Sequence, residues 1–335
     1  MQAIRLHPSA NTTSYSPENP APSSALHLDH DIPIPKPSQP GDILIRIKAT
    51  TVVRDMLTWP ETYHHEYMIP GHDFAGTVVE VFPGETQFKP GDEVFGMAHA
   101  DRGSMWAEYG LVKDCEVALK PENLSWEQAA ALPLSALTAY EALVEKAGVL
   151  INRVAGKAPS ESKAKTILIT GAAGGVGIYI VQLAAIAGLY TVASSSSNLR
   201  NRDLLLELGA DETVEYGELM SQNRTWDIVI DTVGGNVLAD CWSYVKDDGS
   251  LVSVDSASFD FVKKHEEKGI RKKNVNALFF IVEPNAKALN DLAHYARLGL
   301  LRPFVLDTHP LARASEAYES AGRRVVGRGK LVLRV

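Results

Sequence analysis

Through the first third of the chain, apolar and polar positions alternate in short runs. DILIRIKAT (42–50), AGTVVEVFP (75–83), DEVFGMA (92–98), AEYGLVK (107–113) and CEVALKP (115–121) are each bounded by Gly, Pro or Asp. A period of two over so few residues predicts strands, and their regular spacing predicts a compact barrel or sandwich. Residues 8–24, rich in Pro, Ser and Asn, predict a surface arm rather than core. The texture changes near residue 126, where SWEQAAALPLSALTAYEALVEKAG (125–148) predicts helix with Ser125 as N-cap. Strands and helices then alternate. TILIT, TVASS, ETVEY, DIVIDTV, SLVSVDS and NALFFIVE are the strands, and this βαβ rhythm predicts a doubly wound parallel sheet. The tail, RPFVLDT and KLVLRV, returns to strand texture and is expected to rejoin the first domain.

One bend interrupts the second region: Gly171-Ala172-Ala173-Gly174-Gly175-Val176-Gly177, between an apolar strand and an apolar helix. A dinucleotide fingerprint reads G-x-G-x-x-G at such a turn, with the helix N-terminus facing a pyrophosphate. Ala172 takes the first fingerprint position here. Gly174 would permit close phosphate approach, and Gly177 close helix–strand packing. At the end of the next strand an acid would hold the ribose hydroxyls of NAD. Ser194–Ser197, Asn198, Arg200 and Arg202 stand there instead. Hydroxyls and a guanidinium suit a 2′-phosphate, so the expected cofactor is NADPH.

The composition narrows the function. A net charge of −8 over 335 residues argues against a nucleic-acid or anionic-membrane surface. No apolar run is long enough to span a bilayer and no secretory signal pattern is visible. Two cysteines, Cys115 and Cys241, provide neither a disulfide framework nor a four-cysteine zinc lobe. A reducing, cytoplasmic setting is expected.

PGHDFAGTVVEV, FKPGDEVFGM, LPLSALTAYEAL, ITGAAGGVG, LGADETVEY and GKLVLRV, in that order, resemble blocks of the medium-chain dehydrogenase/reductase superfamily. The resemblance is to its zinc-independent quinone oxidoreductase branch and covers nearly the whole chain. It implies an α/β fold: a GroES-like β-barrel catalytic domain (1–125 and 301–335) and a Rossmann nucleotide-binding domain (126–300). It further implies that Thr138 lies near the nicotinamide, that Gly174, Gly175 and Val176 hold the pyrophosphate, and that Ser195, Asn198 and Arg200 surround the 2′-phosphate. Tyr216 would contact that same end, Val233 and Gly234 would flank the ribose, and Phe279, Phe280 and Val282 would approach the nicotinamide. A homodimer joined through the NALFFIVE edge is also implied.

The zinc ligands of the superfamily's alcohol dehydrogenases are not matched. His72 takes the His position, but Arg54 and Asp55 stand where the first Cys falls and Ser135 where the later one falls. Asp55, His72 and Asp73 would be an improvised set. Without a Lewis acid, the feasible reaction is hydride delivery to a quinone or an α,β-unsaturated carbonyl, helped by donors to the oxyanion. Arg54, Tyr63 and Tyr67 are the candidate donors, with Asp55 orienting Arg54 and Trp59 forming a flat wall. A zinc alcohol dehydrogenase and an NADPH-binding protein without turnover are the alternatives. A short-chain reductase would need Tyr-x-x-x-Lys after the bend, and the one match, Tyr109 to Lys113, precedes it.

Overall fold

The structure, a computed structural model, describes residues 1–9, 13–84, 86–151, 165–322 and 328–335. Residues 10–12 of the expected arm lie outside them. The chain divides into two units, 1–134 with 283–335, and 135–282.

The first unit opens with the antiparallel pair β1 (Ala3–Leu6) and β2 (Leu26–Asp29). Strands β3 (Asp42–Val52), β4 (Asp73–Val81), β5 (Glu93–Met97), β6 (Tyr109–Lys113) and β7 (Val117–Leu119) follow. β3 is the long central strand. Its first half pairs with β6, while β4 runs antiparallel along its other edge. Ile43, Ile45, Ile47, Phe74, Val78, Val94, Val112 and Val117 fill one side as a buried cluster. Helix α1 (Trp126–Ala130) starts at Ser125, whose Oγ accepts from the Gln128 amide while the Gln128 side chain accepts from the Ser125 amide. This reciprocal cap closes the helix start as its sequence predicted.

In the second unit, α2 (Pro133–Tyr140) leads in from residue 135. Strands β8 (Thr166–Thr170), β9 (Tyr190–Ser195), β10 (Glu212–Glu215), β11 (Trp226–Asp231), β12 (Val245–Ser253) and β13 (Asn276–Phe279) form one parallel sheet in the order β10-β9-β8-β11-β12-β13. Between them run α3 (Gly177–Ile186), α4 (Asn198–Glu207), α5 (Tyr216–Leu219), α6 (Gly235–Tyr244) and α7 (Phe261–Glu267). The strand order reverses between β8 and β11, the crevice where doubly wound sheets take ligands. β8 is apolar because helices cover both faces of such a sheet.

The chain then returns to the first unit through α8 (Ala286–Arg297), β14 (Val305–Pro310), α9 (Ala314–Ala321) and β15 (Lys330–Arg334). β15 pairs antiparallel with the second half of β3, as the tail's texture led us to expect.

Two expectations change. The cuts fall at 134/135 and 282/283 rather than 125/126 and 300/301. The reason is packing: α1 lies on β3 and β4, and α8 lies on β7. The arm is also partly core. Ala21 is buried with Met56, Leu57, Ala314 and Ala317, so a small residue that read as loop lets the arm lie close against its neighbours.

Candidate nucleotide site and acceptor-side residues

The glycine bend sits at the carboxyl end of β8. Gly171 has φ +68°, and a Cβ there would meet Thr232 Oγ1 at 2.1 Å. The tight-turn role therefore belongs to Gly171, not to Ala172, which is fully buried. A Cβ on Gly177 would lie 2.2 Å from the Gly171 carbonyl oxygen, so Gly177 closes the helix against the turn. Gly174 and Gly175 are exposed, and a Cβ on Gly175 would meet nothing within 4 Å. The start of α3 is open at Gly175, while the Ile178 and Tyr179 amides of its first turn are already taken by the Gly174 and Val176 carbonyls at 3.2 and 3.0 Å. Beside it, Ser194 Oγ is buried without a hydrogen-bond partner, and the Ser194 carbonyl accepts from the Ala172 amide at 3.0 Å. This arrangement fits a dinucleotide diphosphate.

The predicted residues around it divide. Tyr216 does not simply line the phosphate end: its Oη accepts from the Gly171 amide at 3.0 Å and so fixes the bend itself. Burial raises the Tyr216 pKa. Ser195 is buried, and its Oγ accepts from Asn201 Nδ2 at 2.9 Å. Asn198 lines a cavity of about 280 Å³ with Arg202, Asp211 and Gln222, and its Nδ2 donates weakly to the Thr213 carbonyl at 3.5 Å. Arg200 is exposed on α4. Val233 and Gly234 follow β11, and Gly234 has φ +74° with its would-be Cβ 2.1 Å from Asp255 Oδ2. Thr138 is buried in α2. Phe279 packs on the sheet's own core rather than standing clear of it. Phe280 lies under the Lys146 ammonium, 5.2 Å from ring centroid to Nζ, and Val282 is half-buried.

Sequence reasoning passed over Asp231, the last residue of β11. It is fully buried and accepts from Thr170 Oγ1 at 2.6 Å, Ser253 Oγ at 3.1 Å, the Gly234 amide at 2.9 Å and the Val233 amide at 3.3 Å. Burial pushes its pKa up against these bonds. One side chain thus ties β8, β12 and the Val233–Gly234 turn together at the crevice. The available signal was an acid ending the apolar run Ile228-Val229-Ile230, followed by Thr-Val-Gly-Gly.

In the other unit, Arg54 is exposed and grips Asp55 through two bonds, Nε to Oδ1 and Nη2 to Oδ2, each 3.0 Å. Tyr63 is not placed as a proton donor. Its hydroxyl donates to the Leu57 carbonyl and accepts from the Ala21 amide at 3.0 Å, which pins the arm. Burial raises its pKa. Tyr67 sits at φ +57° with the Arg5 guanidinium 4.5 Å over its ring and His7 edge-on at 5.1 Å, and it remains 37% exposed. Trp59 packs beside the His72 ring at 5.5 Å. Burial lowers the pKa of His72.

The donor set does not fit zinc. Asp73 accepts from Lys330 Nζ at 2.7 Å, Thr51 Oγ1 at 2.5 Å and the Leu134 amide at 2.6 Å, so a cation already occupies it. Asp55 is held by Arg54. Among the described residues no three His, Cys, Asp or Glu side chains cluster as a metal site.

Known proteins bear on this geometry. Residues 39–122 match the alcohol dehydrogenase GroES-like domain, and residues 208–333 match a zinc-binding dehydrogenase model. The chain is 34% identical to a probable mitochondrial zinc-binding oxidoreductase of Arthroderma benhamiae, over 96% of this chain and 97% of that one. It is 37% identical to a 2-methylene-furan-3-one reductase of Solanum lycopersicum, over 71% of this chain and 55% of that protein. The quinone oxidoreductase of Coxiella burnetii superposes with a TM-score of 0.81 at 27% identity, covering 100% and 99% of the two chains. Among the described residues no helix is long and apolar enough to cross a membrane.

Proposed function

Since the chain belongs to the medium-chain dehydrogenase/reductase superfamily, in its quinone oxidoreductase-like branch, we propose that it is an NADPH-dependent, metal-independent reductase of quinones or α,β-unsaturated carbonyls. The chain is an oxidoreductase of a family that binds NAD(P)H. The observation that carries the finer reading is the bend at β8, with Gly174 and Gly175 exposed, open space over Gly175, and Gly171 and Gly177 packed to hold the turn.

Gly174, Gly175 and Val176 would hold the diphosphate. Val233 and Gly234 would flank the ribose, and Thr138, Phe279, Phe280 and Val282 would serve the nicotinamide end. Ser195, Asn198, Arg200 and Tyr216 would form the 2′-phosphate end. The preference for NADPH is supported by hydroxyls and a guanidinium where an acid on β9 would select NADH. The similarity to quinone and enone reductases supports the acceptor class. The Lys330 ammonium on Asp73 supports chemistry without zinc.

When bound, the dinucleotide supplies a hydride. Arg54, held flat by Asp55, donates hydrogen bonds to the oxygen that gains charge as the acceptor is reduced. Solvent returns the proton. Among the described residues the β13 edge pairs only with β12, and it is followed by Ile281, 65% exposed. It supports a homodimer through that edge. A reducing compartment, cytoplasmic in our reading, is supported by two free cysteines.

The test follows NADPH absorbance with chelator-treated protein and an ortho-quinone, a para-quinone, an enone and an aldehyde, with NADH alongside. Turnover of quinone or enone, faster with NADPH, is expected. Arg54→Met should cost about tenfold in kcat with nucleotide affinity unchanged. Turnover of the aldehyde alone, restored only by zinc, would overturn the reading.

A further inference from the structure

The acid that β9 lacks arrives from the neighbouring strand. Glu215 ends β10 and lies beside Ser195 in the parallel ladder. Its Oε1 accepts from the Asn198 amide, the first of α4, at 2.6 Å. Ser197, at the N-cap position, makes no side-chain cap, so Glu215 caps this helix from outside it. The carboxylate therefore touches one residue of the proposed 2′-phosphate end, while the Glu215 backbone lies in register with a second, Ser195, and precedes a third, Tyr216.

We propose that Glu215 is a specificity-determining residue which holds the site's preference for NADPH over NADH in check. The inference rests on the reading of the bend as a dinucleotide site. Its physics is short. A 2′-phosphate brings further negative charge beside a carboxylate that already occupies the helix's first amide, and like charges repel through a partly buried, weakly screened path. A ribose 2′-hydroxyl donates to a carboxylate instead. Asn198 Oδ1 points the same way: it is a buried acceptor without a partner, suited to a hydroxyl and not to a phosphate oxygen. Arg200 and the serines favour the phosphate. The site is thus of mixed chemistry, and Glu215 is the element that keeps NADH competitive.

Glu215→Gln removes the charge and keeps an oxygen for the Asn198 amide. Calorimetric titration of the full chain with NADPH and with NADH, for wild type and variant, reads the effect directly. The ratio of the two dissociation constants should shift toward NADPH by about five- to tenfold, mainly through tighter NADPH. Glu215→Ala should shift it the same way, and thermal melts of both variants confirm that the fold is retained. An unchanged ratio, or a shift toward NADH, overturns the proposal. Wild-type protein that binds neither nucleotide overturns the reading of the bend as well, and so separates the two failures.

Discussion

Strands β8 and β11 are tied together twice by the same two residue types, and the two ties behave in opposite ways. At the amino end Asp227 accepts from the Thr166 amide at 2.9 Å and Thr166 Oγ1 at 2.7 Å. At the carboxyl end Asp231 accepts from Thr170 Oγ1 at 2.6 Å. Burial pushes both carboxyls up, yet Asp227 ends at about 2 because the Thr166 bonds and the Lys246 ammonium outweigh it. Asp231 stays above the usual range: its partners are hydroxyls and amides, with no cation among them. The lesson is that a carboxylate's protonation is set by what replaces its water. The cation stands at the end of the strands away from the glycine bend. At the bend's end, the carboxylate works through oriented dipoles that leave the crevice open to an anionic ligand. Asp73 in the other unit combines both conditions, fully enclosed and also paired with an ammonium.

The sharpest way to break this comparison is to strip the cation from the buried pair. Lys330→Met should leave the Asp73 charge uncompensated and cost about 3–5 kcal/mol, seen as a fall in the urea midpoint of the barrel unit. Pairing it with Asp73→Asn should restore much of the loss. A loss below about 1 kcal/mol would mean that Lys330 matters only as packing.

A smaller loss is expected at Asp231, where no charge is orphaned but four donors are. Asp231→Ala leaves Thr170, Ser253 and the Val233 and Gly234 amides without their acceptor, for about 2–3 kcal/mol. The Val233–Gly234 turn loses its anchor, so NADPH affinity should fall with stability. The pH signature is distinct. Because the folded pKa of Asp231 is raised, its contribution to stability is fully present below the unfolded value of 3.8 and declines as pH rises through the folded one. Asp231→Ala should remove that decline from the pH–stability curve. A variant curve parallel to wild type would contradict it.

How much of this could be read in advance follows from sequence distance. The strand–helix rhythm, the Ser125 cap and the bend are local patterns, and each was legible. So was the return of KLVLRV, because its texture goes back to short strands. What escaped is long-range or conformational. The Asp73–Lys330 pair spans 257 positions, and Lys330 reads as an ordinary strand-flanking cation. Tyr63 looked like a proton donor because its partner, the Ala21 amide, comes from an arm 42 residues earlier. Alignment to the fingerprint gave Ala172 the turn, but only the backbone reveals that Gly171 carries the positive φ. Glu215 was hidden because an acid is sought on β9, and this one comes from β10.

The smallest effect should come from the amino-end tie. Asp227 is about one-third exposed and its partner Lys246 more so, so solvent screens the pair and trims its worth. Asp227→Asn should cost about 1–2 kcal/mol at neutral pH. The sign is the reverse of that at Asp231. A depressed folded pKa means that the wild-type advantage is present above the unfolded value of 3.8 and vanishes as pH falls toward about 2. Wild type and Asp227→Asn should therefore converge in stability across that window, while wild type and Asp231→Ala diverge. Urea melts at pH steps between 5 and 2, on a scale set by the two pKa values, separate the ties. If both variants converged with wild type on acidification, the opposition between the two ends would be lost, and the raised pKa of Asp231 with it.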